Sequence, residues 1–412
     1  MKKNLFPLAV AMLCVAAPAS AQDYEMQIHK TDGTVTTIDA ADVAKVTFAQ
    51  KPYTVEAVPT GTDLAQWYEE NKALFETYDY IVIPLAANGE YTQSGVIEIP
   101  AGKKAAIAGD AEGVAKLQFT ADAGFVAGNV FSLSNVDIDA AASANSLVTL
   151  SETPDEALLG ATGMGDYYNI IGGITLSNVD VKGLKNRVFY DNGVKYAIDK
   201  LTIEDCNIQL DIQDGTGVDG GQIIDAYGGG INDLAISNST MYNIGAGYAK
   251  YAVRYNNGYK AARIGYENEH MTIKNSTFHN LLESGGQWGN YNGLQGSKSC
   301  YFTLTDVIFV NCGKDIARRF LGGRAGSHYT FNNNTYMLAY DAEPTFEEMP
   351  TEGEDGTVTQ PSYDKSGTVI GTAPTFANAA NGDFTLGSDC EQYAKKTGDP
   401  RWLGEEEVTP AE

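Results

Sequence analysis

The sequence predicts an all-β solenoid, a parallel β-helix, and three observations carry that prediction. First, one short phrase keeps returning. "MTIKNSTFHNL" (271–281) is preceded by "LAISNSTMYNI" (234–244), "LTIEDCNIQL" (201–210), "ITLSNVDVKG" (174–183) and "FSLSNVDIDA" (131–140), and is followed by "FTLTDVIFVNC" (302–312) and "YTFNNNTYML" (329–338). Second, each copy alternates apolar and polar residues, the period of a strand with one face buried. An Asn or Asp interrupts the alternation: Asn135, Asn178, Asp205, Asn238, Asn275, Asp306 and Asn333. Third, the steps between these residues are uneven, at 43, 27, 33, 37, 31 and 27 residues.

A strand this short cannot bury its apolar face alone. Stacking each copy on the next, about 4.8 Å apart, pairs every backbone group and builds a continuous core. Asn and Asp tolerate left-handed backbone angles, so the aligned residues read as a ladder of turns whose amides hydrogen-bond along the axis. Each phrase is expected to form one face of one coil. Antiparallel sandwiches call for turn signals every 8–12 residues or so, and leucine-rich repeats need a shorter, stricter unit. The shortest step approximates a bare coil. The residues in excess, sixteen after Asn135 and ten after Asn238, must leave the stack as loops, and such loops are where rigid repeats carry binding chemistry.

The ends read differently. Residues 22–52 form a small β unit, two alternating strands around the turn signal "TDGT". A helix over 63–76, "DLAQWYEENKALFE", has a capping box in Asp63 and Gln66 and an apolar face of Leu64, Trp67, Leu74 and Phe75. It is expected to cover the open end of the stack, which otherwise exposes unpaired strand edges. The β-helix is expected over 53–340, an acidic loop or linker over 341–372, a return to the β-helix and its cap over 373–404, and a solvated tail over 405–412.

Charge and leader bound the setting. Of 412 residues, 53 are Asp or Glu and 28 are Lys or Arg, a net charge of −25. That field repels nucleic acid and anionic membranes. "MKK", the apolar run Leu5–Ala17 and "ASA" (19–21) have the pattern of a secretory signal peptide over 1–21, which predicts a secreted, extracytoplasmic location. No later segment reaches the roughly 20 apolar residues of a membrane span. Cys206, Cys300, Cys312 and Cys390 are spaced like buried free thiols rather than a disulfide framework or a zinc site.

The N-terminal "HKTDG…VTF" unit, the Asn-bearing coils and the closing "FTL…GDPRW" together resemble secreted β-helix proteins of Bacteroidetes in the pectin-lyase-like superfamily, many labelled only as domains of unknown function. The resemblance covers nearly the whole mature chain. It implies a right-handed parallel β-helix and an extracytoplasmic role connected with polysaccharide, without fixing a reaction.

Two regions could hold chemistry. The first is the aromatic run 247–270 and the loop after it, with Tyr248, Tyr251, Tyr255, Tyr259, Trp288 and Tyr291 offering ring faces to sugars and Arg254 and Arg263 offering forked donors. Packing of these rings onto the stack is the competing reading, as is pairing of the arginines with the protein's own carboxylates. Six of seven arginines lie between 187 and 324, which would suit an acidic glycan. The second region, "ARRFLGGRAGSHYTFNNNTY" (317–336), resembles a pectate lyase motif through Arg319 and Arg324. It departs from that motif at Leu321, where the lyases have proline. Asp219 and Asp225 stand six apart, too far for the matching calcium carboxylates. A calcium-dependent lyase using Arg319 with Lys250, Arg254 or Arg263 is therefore an alternative to a polysaccharide-binding protein, and a structural or adhesive surface protein is a third reading. Calcium enters only with the lyase. The four histidines show no metal-ligand spacing, and no pair of carboxylates stands out for glycoside hydrolysis.

Overall fold

The computed structural model describes residues 25–29, 34–39, 51–160, 167–213, 222–247, 249–256, 269–290, 300–312, 316, 328–338, 351–352, 358–359, 364 and 366–404. The chain divides into two compact units, Met1–Gln50 and Lys51–Glu412. In the first, Glu25–His29 pairs antiparallel with Val35–Asp39, Glu25 opposite Asp39 and His29 opposite Val35. This is the expected hairpin; of its "TDGT" turn only Thr34 lies within the described residues.

The second unit is a parallel β-helix with three faces. Face A contains Tyr80–Leu85, Lys104–Gly109 and the first half of every phrase from Phe131–Asp139 to His328–Asn332. Face B contains Glu90–Gln93, Ala115–Phe119 and the second halves, ending at Thr335–Leu338. Face C is a seven-stranded sheet made of Val96–Glu98, Gly124–Ala127, Val148–Leu150, Phe189–Tyr190, Gln222–Ala226, Ala249–Tyr255 and Leu282–Asn290. Each phrase thus supplies two faces rather than the one expected. The reason is the interrupting Asn or Asp. Its φ lies between 46° and 56° at all seven aligned positions, a left-handed conformation that swings the strand round a corner while neighbouring residues stay extended.

Equivalent residues stack in register. Leu133, Leu176, Ile203, Ile236, Ile273, Leu304 and Phe331 form one inward file along face A, and the first six are at most 1 % exposed. Burying such side chains contributes about 1.5–3 kcal/mol each. A second file on face B stacks Phe278, Phe309 and Tyr336 with ring centroids 5.2 and 5.7 Å apart. At the corners, Asn178 Nδ2 donates to Asn135 Oδ1 at 2.9 Å, Asn275 to Asn238 at 3.2 Å and Asn333 to Asp306 at 3.0 Å. A second, shorter ladder that the phrase alignment does not reveal joins Asn311 to Asn280 at 3.2 Å, both with positive φ.

The N-terminal end is covered as expected, with a broken helix. Leu64–Asn71 and Leu74–Thr77 are separate turns whose Leu64, Tyr68 and Phe75 are buried. Asp63 caps the first by accepting from Ala65 N and Gln66 N. The reciprocal half of the capping box is not made, because the Gln66 side chain bonds Glu70 instead, at 2.9 Å.

The C-terminal third corrects two expectations. The region read as a linker includes a short antiparallel pair, Thr351–Glu352 with Val358–Thr359. It also packs on the last coil, where buried Asp364 accepts from Asn334 Nδ2 and Tyr336 Oη and Ile370 bridges to Thr335. Residues 373–404 do not rejoin the coil. They form a strap across the outer side of face B, with an antiparallel hairpin of Phe376–Asn378 and Asp383–Leu386. Gln392 bonds Thr335, Asp399 bonds Thr240 and Thr277, the Trp402 indole donates to Thr240, and Arg401 reaches Asp180. Phe384 meets Tyr242 and His279 at 5.0 and 5.3 Å between rings. Cys206, Cys300, Cys312 and Cys390 are buried and none is in a disulfide, in keeping with the expectation of buried thiols. Burial pushes the Cys206 and Cys312 thiols up to about 12, which leaves them unreactive.

The corner geometry gives a test. Asn275→Ala loses a rung and keeps a left-handed φ without a compensating side chain, so it is expected to cost about 2–3 kcal/mol in denaturant unfolding. Asn275→Gly loses the rung alone and should recover at least half of that cost. Equal losses in the two variants would show that backbone strain plays no part.

Candidate functional site

The outer side of face C carries a file of residues brought together by strand register: Val126, Thr149, Tyr190, Asp225 and Arg254. Alternate residues point inward, so Phe189, Ile224 and Val253 of the same strands fill the core. Asp225 points outward yet has no exposed surface, because two guanidiniums cover it. Arg254 grips it with Nε at 2.8 Å and Nη2 at 2.7 Å, and Arg187 Nε donates to it at 2.8 Å. Each arginine also lies over a tyrosine ring, Arg187 over Tyr190 at 4.2 Å and Arg254 over Tyr227 at 4.3 Å. Two positive charges and one negative charge therefore sit between two aromatic rings. Tyr227 is 54 % exposed.

Beside this array is a cavity of about 290 Å³, bordered by Val96, Val126, Asn145, Thr149, Asn186, Arg187, Tyr190 and Asn192. An aromatic ring, a guanidinium and amides around an open hollow are the groups that meet a sugar's flat C–H face and its hydroxyls. Burial raises the Tyr190 hydroxyl above its ordinary value, against the opposing pull of Arg187, so it remains a hydrogen-bond donor.

The support beneath is Asp191, fully buried. Its carboxylate accepts from Gly193 N at 2.9 Å, Gly228 N at 2.8 Å and Gly229 N at 2.9 Å, fixing the turn that follows Tyr227. A side chain at Gly229 would meet the Tyr196 carbonyl at 1.7 Å, so the "GGG" of 228–230 serves close backbone packing. Burial carries the Asp191 pKa from 3.8 to about 7, against the three amide hydrogen bonds that favour the charged form.

The residues predicted for this region divide three ways. Arg254 belongs to the array, paired with Asp225, which is the competing reading given for the arginines. Tyr251 is half-buried on the same strand as Arg254, with the Lys250 ammonium 5.9 Å from its ring. Tyr255 and Trp288 are corrected: they are 2 % and 1 % exposed and belong to the core, Trp288 meeting Phe278 edge-on at 5.1 Å. Both point inward on face C and have no ring face to offer a ligand. Tyr248, Tyr259, Arg263, Tyr291, Arg319 and Arg324 lie outside the described residues. Tyr190, Tyr227 and Asp191 were not anticipated. Among the described residues, no group of three or more His, Cys, Asp or Glu is placed to hold a metal ion. Asp225, weighed above as a calcium ligand, is committed to its two arginines. Among the described residues, no helix is long and apolar enough to cross a membrane.

Two domain families match the chain. Residues 89–244 are similar to the domain of unknown function DUF4957, and residues 234–402 to the domain of unknown function DUF5123. The two matches overlap within the phrase 234–244, while the coils run on through it without a break. Arg187, Tyr190, Asp225 and Tyr227 fall in the first match and Arg254 in the second, so the array spans both. No curated protein matches the chain.

Two measurements test this geometry. Asp225→Ala leaves two guanidiniums without their carboxylate and is expected to destabilise the fold by about 3–5 kcal/mol, with Asp225→Asn intermediate. Asp191 binds its proton more tightly folded than unfolded. Its contribution to stability is therefore complete below its ordinary value of 3.8 and lost as pH rises through about 7. Melting temperature should fall between pH 5 and pH 8, and Asp191→Asn should flatten that fall while lowering stability at pH 5 by about 1–3 kcal/mol through a lost amide bond.

Proposed function

We propose that this chain is a secreted β-helix protein that binds a polysaccharide along the outer side of face C, in support of that polysaccharide's degradation. The observation that carries the reading is the array Tyr190–Arg187–Asp225–Arg254–Tyr227, a rigid strip of rings and guanidiniums beside an open, amide-lined hollow. Tyr gives large contact area at low entropic cost, and here Arg187 and Arg254 hold the rings in place before any ligand arrives. The guanidiniums of Arg187 and Arg254 are forked donors of the kind that meet a carboxylate or sulfate, so on a chain of net charge −25 this is the place where an acidic glycan is expected. The leader-like N-terminus and the resemblance to secreted β-helix proteins support the extracytoplasmic setting.

A glycan array with the mature chain tests the proposal. Tyr227→Ala and Tyr190→Ala should each weaken the leading acidic glycan about tenfold, a change of 1.4 kcal/mol. Tyr227→Ala should leave the melting temperature unchanged because the ring is exposed. Binding that is indifferent to both substitutions would refute the site. Absorbance of unsaturated products from uronate polysaccharides, with and without calcium, should stay flat; a calcium-dependent rise would replace this reading with the lyase.

A further inference from the structure

Face B carries a second and larger hollow, of about 740 Å³, on its outer side at the N-terminal coils. The strap covers the outer side of face B from Thr335 to Asp180 and stops there, with Arg401 Nη1 3.1 Å from Asp180 Oδ1. Beyond that ion pair the same surface lies open as far as Gly61, which borders the other end. Its charged lining is Glu90, Lys116, Asp137, Asp139, Asp180 and Lys182.

Strand register sets these charges side by side. Glu90 faces Lys116, Lys116 faces Asp137, and Asp139 faces Lys182, all pairs of opposite sign. The exception is Asp137, which directly faces Asp180. Like charges opposite each other on neighbouring strands destabilise a sheet, so this contact breaks the rule that its surroundings obey. The two carboxylates also differ in environment. Asp180 is the charged partner of Arg401. Asp137 is partly buried, and burial first, then Asp180, raise its pKa against the pull of Lys182 and Lys116.

We infer that this groove is a glycoside-cleaving site, with Asp137 as general acid and base and Asp180 as nucleophile. A carboxyl whose surroundings favour its protonated form, beside one held in an ion pair with a guanidinium, is the division of labour that such cleavage requires. Asp137 and Asp180 stand directly opposite on neighbouring parallel strands, whose backbones lie about 4.8 Å apart, and that spacing suits the carboxyl separation of about 5–5.5 Å that goes with retention of anomeric configuration. In the first step the Asp180 carboxylate attacks the anomeric carbon while Asp137 gives its proton to the departing glycosidic oxygen; the carbon–oxygen bond breaks and a glycosyl ester forms. In the second, Asp137 takes a proton from water, whose oxygen attacks the same carbon and frees Asp180. One water is consumed and both carboxyls return to their starting states. The site lies on a different face from the array of face C, and either can fail without the other.

The test uses the mature chain and a panel of 2,4-dinitrophenyl glycosides with their 2-deoxy-2-fluoro analogues. At least one glycoside should release dinitrophenolate, with the first product keeping its anomeric configuration by proton NMR. With unsubstituted phenyl glycosides, whose leaving oxygen needs a proton, the rate should fall as pH rises through the titration of Asp137, and with the dinitrophenyl glycosides that fall should be weaker. The matching fluoro analogue should add one glycosyl mass to the peptide that contains Asp180. Asp137→Asn and Asp180→Asn should each slow turnover at least a hundredfold. Asp137→Asn should leave the melting temperature within a few degrees of the parent chain, since Asn has nearly the shape of a protonated carboxyl, and that measurement separates a loss of rate from unfolding. No release from any glycoside between pH 4 and 8, inversion of configuration, or turnover that survives both Asn substitutions would overturn the assignment.

Discussion

The fold depends on one backbone constraint, the left-handed residue at the corner between faces A and B. An L-residue other than Asn, Asp or Gly pays about 1–2 kcal/mol to sit there, and seven consecutive coils have Asn or Asp at that point. Once the corner is fixed, the strand before it and the strand after it are fixed in direction, and each coil must lie over the one before in a single register. A slip of one residue would turn every inward side chain of the Leu133–Phe331 file outward. The amide rungs add direction along the axis. They are not continuous, because the side chains of Asp205 and Asp306 carry no N–H; the Asp306 carboxylate accepts, as it does from Asn333. The stack is therefore held mainly by buried apolar files and backbone pairing, with the rungs enforcing register.

This regularity makes the outer surfaces informative, because any residue there stands in a file with known neighbours. On face C the file passes from Val126 and Thr149 to Tyr190, Asp225 and Arg254, and the Asp225 carboxylate pairs with both Arg254 and Arg187. On face B the strap covers most of the file with hydrogen bonds to Thr240, Thr277 and Thr335 and a small apolar cluster of Ile308, Leu386 and Cys390. The uncovered remainder carries Asp137 against Asp180. A contact that costs stability, in a fold that elsewhere satisfies its pairing rules, marks a place where something other than stability has shaped the surface.

The phrases exposed the coils, the ladder and the alternation because each of these repeats at fixed offsets from one Asn. The carboxylate couple was present in the same alignment: Asp137 and Asp180 each stand two residues after their ladder Asn, in "NVDID" and "NVDVK". Reading that column down the stack would have found them, with Asn207, Thr240, Thr277, Ile308 and Thr335 following. Face C offered no such column. Tyr190, Asp225 and Arg254 stand 12, 20 and 16 residues after their ladder residues, since loops of different length precede them. Aromatic density was the signal used there instead, and it could not separate Tyr227, which is exposed, from Tyr255 and Trp288, which fill the core.

What the sequence determined by itself was periodic: an all-β stack, its corners, its inward files and a hairpin ahead of it. These follow from local rules, the two-residue period of a strand and the conformational tolerance of Asn, that act wherever the phrase occurs. Only the tertiary structure decided which outward residues meet. It folded the segment 373–404 back across face B rather than into the coil, closed Arg187 and Arg254 onto Asp225, and left Asp137 beside Asp180 in an open groove. Those contacts join residues 29 to 221 positions apart. Their chemistry depends on burial and on neighbours that no local pattern encodes.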